Sequence, residues 1–275
     1  MTYRELCGKL RDAGIEDYKT ESMILITALF GVTDAYVIAN PSRDYGGKEL
    51  LSATQRRKEG EPLQYITGKW QFMGLDFFVS PDCLIPRQDT EILVEKAIKK
   101  AKDGYVVADF CTGSGCIGIS LLKFCPNIKS MLFADISKGA LDMAKKNVYV
   151  HGVEEKSALL QADVMKYLPD QKFDMILSNP PYIPTKDIES LSKEVKSEPR
   201  VALDGGEDGL DIIKRLVFDY TAFLKDGGSM LIEFGYDQGS KMDELLSEAI
   251  SCGLISSYEI VKDYGGNDRL AVISK

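Results

Sequence analysis

The sequence predicts an α/β protein: a doubly wound, mostly parallel sheet preceded by a small helical domain and a β-hairpin linker. Three observations carry this. From Asp89 onward apolar strand runs alternate with amphipathic helical runs, the pattern that builds a parallel sheet covered by helices on both faces. Up to about residue 60 the apolar residues keep helical spacing instead. Between these stretches, from Pro62 to Pro86, short aromatic and β-branched runs replace both patterns.

Taken in order, Tyr3, Leu6 and Leu10, then Met23, Ile24, Leu25, Ala28 and Leu29, mark helical faces, with breaks at Gly14, Gly31 and Asn40-Pro41. This is a small bundle over residues 1–61. The runs QYITG, WQFM and DFFVS, with a tight turn expected at Gly74-Leu75, make residues 62–86 a hairpin linker. Residues 87–275 form the large domain. A helix over TEILVEKAIKKA leads to the strand YVVADF, a helix from Ser114, the strand MLFAD and a helix over SKGALDMAKKNV. The strands SALLQAD, FDMILSN and GSMLIEF follow, then a helix near Lys241 to Ile250. Two strands in succession, SSYEIV and RLAVIS, close the chain and imply an antiparallel strand within the sheet.

Composition narrows the function. With 275 residues, 44% hydrophobic, the chain can bury a substantial core, and a formal charge of -8 argues against holding free DNA or RNA through a broad basic face. The amino terminus lacks an apolar signal core, and no stretch approaches the roughly 20 apolar residues that span a bilayer; a soluble, cytoplasmic protein is expected. The six cysteines are scattered without CxxC spacing, so neither a zinc site nor a disulfide framework is indicated and no metal is expected. His151, the single histidine, lies where a helix runs out toward Gly152, which suits a helix-end residue better than a catalytic base.

The cofactor candidates sit at strand ends. Asp109 closes the first strand of the large domain, and Cys111, Thr112, Gly113, Ser114 and Gly115 form a glycine-containing turn into the next helix, where doubly wound sheets open a crevice. No Gly-Lys-Ser/Thr follows, so this is not a P-loop, and strict GxGxxG spacing is absent. Asp135 ends the second strand, where a carboxylate can accept from both hydroxyls of an adenosyl ribose; its alternative is a helix N-cap. Asp163 ends the third, placed to meet the adenine amine or to serve only as a loop residue, and Val164 offers an apolar face to the ring. A nucleoside site without a phosphate cradle favours S-adenosylmethionine over NAD.

Asn179, Pro180, Pro181 and Tyr182 end the fourth strand. Paired prolines cannot continue a ladder, which leaves carbonyls facing the crevice. The Asn179 oxygen and the Pro180 carbonyl can accept both N–H bonds of a planar amide or aniline-like NH2, favouring the tetrahedral nitrogen of a methyl-transfer transition state, while Tyr182 packs against the planar group. An ordinary turn after a strand is the structural alternative.

DFCTGSG, NPPYI, PLQYITGKWQFMGLDFFVSPDCLIPRQDTEILVE and EPRVALDGGEDGL together resemble the PrmC/HemK family of release-factor glutamine methyltransferases over essentially the whole chain. NPPY alone is shared with DNA amino-methyltransferases; the IPRQDTE and EPRVALDGGEDGL runs are more specific. The resemblance implies a class I (Rossmann-like) methyltransferase fold with a seven-stranded sheet, and S-adenosylmethionine bound by Cys111 through Gly115, Asp135, Val164 and Asn179. It also implies a substrate glutamine held by Asn179, Pro180, Pro181 and Tyr182. The partners implied are class I peptide-chain release factors, gripped in part by the helical domain, with a monomer expected. The family more often has glycine at Cys111 and an aromatic at Val164. Arg87 and Glu91 are expected to shape the wall between the cofactor crevice and the linker, or to serve only as a loop arginine and a first-turn helix acid. The acidic run 204–211 is expected to lie over the active site, because it lacks EF-hand spacing. Trp70 and Phe72 are read as packing residues. The alternatives are methylation of an exocyclic amine in DNA or RNA, which calls for base flipping and a basic channel, and a nucleoside-binding module without catalysis.

Overall fold

Seven strands with apolar cores form one sheet in the computed structural model, which describes all 275 residues. A separate hairpin pairs β1 (Lys69–Phe72) with β2 (Leu75–Phe78). The large sheet contains β3 (Val106–Phe110), β4 (Ser130–Asp135), β5 (Ser157–Gln161), β6 (Phe173–Ser178), β7 (Leu224–Glu233), β8 (Ser257–Lys262) and β9 (Asp268–Ser274). Their order is β5-β4-β3-β6-β7-β9-β8, parallel from β5 through β7, with β9 antiparallel to both of its neighbours. The chain leaves β3 toward β4 and returns on its other side as β6, so the strand order reverses between β3 and β6. A crevice opens at the carboxyl ends there.

Alternation along each strand explains the double winding. Val107, Met175, Leu177 and Leu231 enter one buried cluster, while Ala108, Phe110, Ile176, Met230 and Ile232 enter the other. Successive side chains point to opposite faces, so a strand apolar at every position must be covered twice. The helices in chain order are α1 (Tyr3–Asp12), α2 (Tyr18–Phe30), α3 (Asp34–Ala39), α4 (Lys48–Lys58), α5 (Leu63–Thr67), α6 (Glu91–Lys100), α7 (Cys116–Phe124), α8 (Lys138–His151), α9 (Lys193–Lys196), α10 (Asp211–Asp219) and α11 (Gly239–Ser251). Helices α6 and α7 cover the first face; α10 and α11 cover the second.

The chain divides into two compact units, Met1–Trp70 with Ser192–Ser197, and Gln71–Leu191 with Glu198–Lys275. The first has its own core of Leu6, Leu10, Leu25, Ile26, Val37 and Leu50. Within it the buried Arg57 guanidinium donates to both oxygens of Glu21, at 2.6 and 3.0 Å, and to Glu194 of the inserted segment.

Two local expectations need correction. QYITG belongs to a helical turn, α5, because Pro62 opens it, Gly68 closes it in the left-handed region, and Leu63 and Ile66 then share a face toward the helical core. The hairpin turn is centred one residue earlier than predicted, on Met73 and Gly74, whose φ values of 52° and 70° match the right-handed twist of the flanking strands. His151 ends α8, where Nε2 donates to the Asp76 carbonyl at 2.9 Å and the ring packs on Phe77.

Candidate active site

A cavity of about 510 Å³ lies at the carboxyl ends of β3 to β6. Of the residues predicted from sequence, Cys111, Gly113, Asp135, Asp163, Val164, Asn179 and Pro181 line it. Thr112, Ser114 and Gly115 are buried behind them as the body of the turn, Pro180 is buried, and Tyr182 points its hydroxyl away toward β7.

The turn is held from beneath by Asp109. One carboxyl oxygen accepts from the Thr112 hydroxyl at 2.6 Å and the Gly118 N–H at 3.2 Å; the other is buried without a partner. Burial without a cation pushes this carboxyl up from 3.8 to about 7, against the pull of those two donors. Asp109 therefore shapes the turn and does not itself line the cavity, so two of the three strand-end acids face the ligand space. Asn147 of α8 ties the turn to the hairpin, donating to the Ser114 and Phe78 carbonyls at 2.9 Å and accepting from Phe78 N–H at 2.8 Å.

Asp135 reaches the cavity from β4. Its oxygens accept from Gly113 N–H and Ser137 N–H, each at 2.9 Å, which fixes the carboxylate while leaving lone pairs toward the open space. Burial raises its pKa, opposed by those N–H groups. Asp163 accepts from Met165 N–H at 3.0 Å and is held below the usual carboxylate range by Lys166. Cys111 has φ 59°, the left-handed region that penalises a side chain. Burial and the Asp135 charge push its thiol up, so it is no nucleophile at neutral pH.

The Asn179–Tyr182 segment is clamped by the acidic loop. Ile183 N–H donates to the Leu203 carbonyl at 2.9 Å, Gly205 N–H to Ile183 at 2.8 Å, and Gln238 Nε2 to Tyr182 at 2.9 Å. Gly209, at φ 78°, lies so close that a Cβ would stand 2.3 Å from the Tyr182 carbonyl. The loop's Asp204, with Arg200 and Val201 before it, lines the cavity. Asn179 Nδ2 donates to the buried Thr90 hydroxyl at 3.1 Å. Neither Asn179 Oδ1 nor the Pro180 carbonyl accepts a hydrogen bond from the protein.

The motif residues outside the cavity act as ties. Arg87 pairs with the buried Glu198, which also accepts from Ile85 N–H at 3.2 Å, and Glu91 accepts from Met73 N–H at 2.6 Å. Thr90, Asn147, Gln238 and Glu233 were not singled out by the sequence. Glu233 alone carried a signal, an acid ending an apolar strand.

Relative to its own seven strands the sheet runs 3-2-1-4-5-7-6, and with its crevice at the strand-order reversal it defines a class I methyltransferase fold. Similar solved structures include a methyltransferase from Pyrococcus furiosus (TM-score 0.55, 18% identity, 74% of this chain and 89% of that one). Another is a ribosomal protein L11 methylase from Lactobacillus delbrueckii subsp. bulgaricus (TM-score 0.51, 24% identity, 72% and 83%). Residues 2–68 match the PrmC N-terminal domain and residues 88–203 the methyltransferase small domain. The release factor glutamine methyltransferase of Geobacter sulfurreducens is 38% identical over 96% of this chain and 92% of its own length. That of Moorella thermoacetica is 37% identical over 98% and 97%. The chain belongs to the release factor glutamine methyltransferase family.

Two predictions follow from the buried groups. An acid whose pKa is raised on folding stabilises the fold relatively below its unfolded pKa, and that contribution is lost as pH rises through the folded value. Asp109, and Glu233 with it, should therefore make the protein progressively less stable between about pH 4 and 7. Asp109→Asn should flatten this slope in urea denaturation followed across pH; an unchanged slope would show that Asp109 is not buried as a raised-pKa acid. Gly209→Ala should lower stability by about 2 kcal/mol or more through the strained φ and the Tyr182 clash, read as a lower urea midpoint.

Proposed function

We propose that this chain transfers a methyl group from S-adenosylmethionine to the side-chain amide nitrogen of the glutamine in the Gly-Gly-Gln motif of class I peptide-chain release factors. The observation that carries the reading is the pair of unclaimed acceptors, Asn179 Oδ1 and the Pro180 carbonyl, in a segment whose Asn179 and Pro181 line the same cavity as Asp135. A primary amide presents two N–H donors, and the motif offers two acceptors.

The residues present fit the methyl donor. The cavity volume suits a nucleoside-sized ligand. Asp135 would hold the ribose hydroxyls, Asp163 the adenine amine, and Val164 the ring face. The turn Cys111–Gly115 would lie along the methionine part, where Gly113 has no side chain to obstruct it: a Cβ there would meet nothing within 4 Å. Asp82, Asp135, Asp163 and Asp204 give the lining an acidic balance that complements a cationic ligand. When bound, S-adenosylmethionine supplies an electrophilic methyl carbon on a sulfonium sulfur.

The protein's part is to make a poor nucleophile attack. An amide nitrogen lone pair is delocalised into its carbonyl. Acceptors placed for tetrahedral N–H directions bind the transition state more strongly than the planar ground state. Tyr182 would pack against the amide plane and limit its rotation. No strong base is needed, because the nitrogen becomes acidic as the new bond forms and water can take its proton.

We read the helical region, residues 1–61, as the part that grips the release factor, and 62–86 as the linker to the methyltransferase domain, 87–275. A cytoplasmic monomer without membrane or stable free nucleic-acid binding is consistent with the charge of -8 and with the fact that no helix is long and apolar enough to cross a membrane.

Labelled S-adenosylmethionine should transfer its methyl to a purified class I release factor, and not to one with the Gly-Gly-Gln glutamine replaced, nor to duplex DNA or RNA. Label on nucleic acid would favour exocyclic-amine methylation instead, and label nowhere a binding module. In the same assay Asn179→Ala should lose at least about 100-fold in kcat while cofactor affinity, followed by calorimetry, changes little; normal turnover would contradict the acceptor role.

A further inference from the structure

An asparagine can present either its oxygen or its NH2 to a substrate, and the two orientations are nearly the same shape. At Asn179 the choice decides whether the site attracts or repels an amide N–H. The neighbouring hydrogen bonds determine which is presented.

Asn179 Nδ2 donates to Thr90 Oγ1 at 3.1 Å. Thr90 is 2% exposed and sits at the end of the 3-10 turn Gln88–Thr90 that leads into α6, its N–H donating to the Arg87 carbonyl at 3.2 Å. A hydroxyl has a single proton, so while Thr90 accepts from Asn179 it must donate elsewhere. The buried Glu233 carboxyl is the acceptor beside it, with Oε2 unpartnered, and the Thr90 hydroxyl is among the groups that oppose the upward shift burial imposes on that acid. Glu233 is likewise 2% exposed, at the carboxyl end of β7; Tyr182 donates its hydroxyl to Oε1 at 3.3 Å, and Oε2 is buried without a hydrogen-bond partner, an acceptor still open to a donor. In its ionised form the Glu233 carboxylate accepts and never donates, so the orientation is enforced where that acid is charged. In the flipped orientation Asn179 Oδ1 would take the Thr90 proton, leaving hydroxyl lone pairs against the carboxylate in a buried site, an unfavourable arrangement.

We infer that Thr90, backed by Glu233, is a positioning residue that fixes the Asn179 carboxamide with its oxygen toward the methyl-acceptor nitrogen. This rests on the proposed amide methylation. The Thr90 hydroxyl touches neither methyl donor nor acceptor; it acts through Asn179. The same carboxylate holds Tyr182, so one buried acid orients both side chains flanking the two prolines.

The test compares Thr90→Val, which keeps the shape and removes the hydroxyl, with Thr90→Ser, which restores it. Wild type runs beside both on the release factor, with thermal unfolding as a check on folding. Thr90→Val should lower kcat at least about 30-fold, while KM for the factor and calorimetric affinity for S-adenosylmethionine stay within about threefold; Thr90→Ser should recover most of the loss. A second readout is independent of turnover. In 15N spectra, the Asn179 side-chain NH2, identified by its disappearance in Asn179→Ser, should exchange slowly with water in wild type and Thr90→Ser and fast in Thr90→Val. Full kcat in Thr90→Val, equal impairment in Thr90→Ser, or unchanged exchange in Thr90→Val would overturn the inference. Should wild type itself transfer no methyl to the factor, the functional reading fails, and the exchange rates alone decide the role of Thr90.

Discussion

A carboxyl group buried at the end of a parallel strand, with no cation to neutralise it, is the constraint on which the site depends. Asp109 accepts the Thr112 hydroxyl and the Gly118 N–H on one oxygen and so gathers the turn after β3 around a single point. Asp109 is fully buried, and a buried acceptor with donors in reach holds them far more firmly than it would at the surface. The burial that raises its pKa also gives the turn a fixed shape. Gly113 is then placed to donate to Asp135 on the adjacent strand, and the carboxylate expected to meet the ribose becomes fixed in turn.

The other half of the site is held differently. The chain after β6 cannot pair as a strand through Pro180 and Pro181, so its geometry must come from neighbours. The loop of Leu203 to Gly209, the Gln238 carboxamide and the buried Thr90 and Glu233 side chains supply it through backbone carbonyls and side-chain ends. The Asn179 oxygen and the Pro180 carbonyl, the two acceptors that a substrate amide would require, receive no hydrogen bond from the protein. An acidic loop that resembles a cation site in composition is thereby explained as a clamp, whose glycines permit close backbone approach.

The strands, their order of appearance and the antiparallel strand near the end were legible because each is a run of apolar residues with turn residues on both sides. The residues at the tips of β4, β5 and β6 were legible because an acid or an asparagine interrupts apolar character where a crevice must open. What escaped were polar residues whose partners lie far along the chain. Asn147 meets Phe78 across 69 residues, Gln238 meets Tyr182 across 56, and Thr90 meets Asn179 across 89. Local periodicity contains nothing about such pairs. QYITG was misassigned for the opposite reason: its β-branched and aromatic residues are overridden by a proline before it, a glycine after it and an apolar face toward the helical core.

The central claim is that the Asn179 oxygen and the Pro180 carbonyl receive the two N–H groups of a substrate glutamine. A crystal structure of the protein with S-adenosylhomocysteine and a class I release factor tests it most directly. The account predicts the glutamine Nε2 within hydrogen-bonding distance of both oxygens, with Asn179 Nδ2 still on Thr90. A glutamine seated elsewhere, or an Asn179 turned to present its NH2, would contradict it.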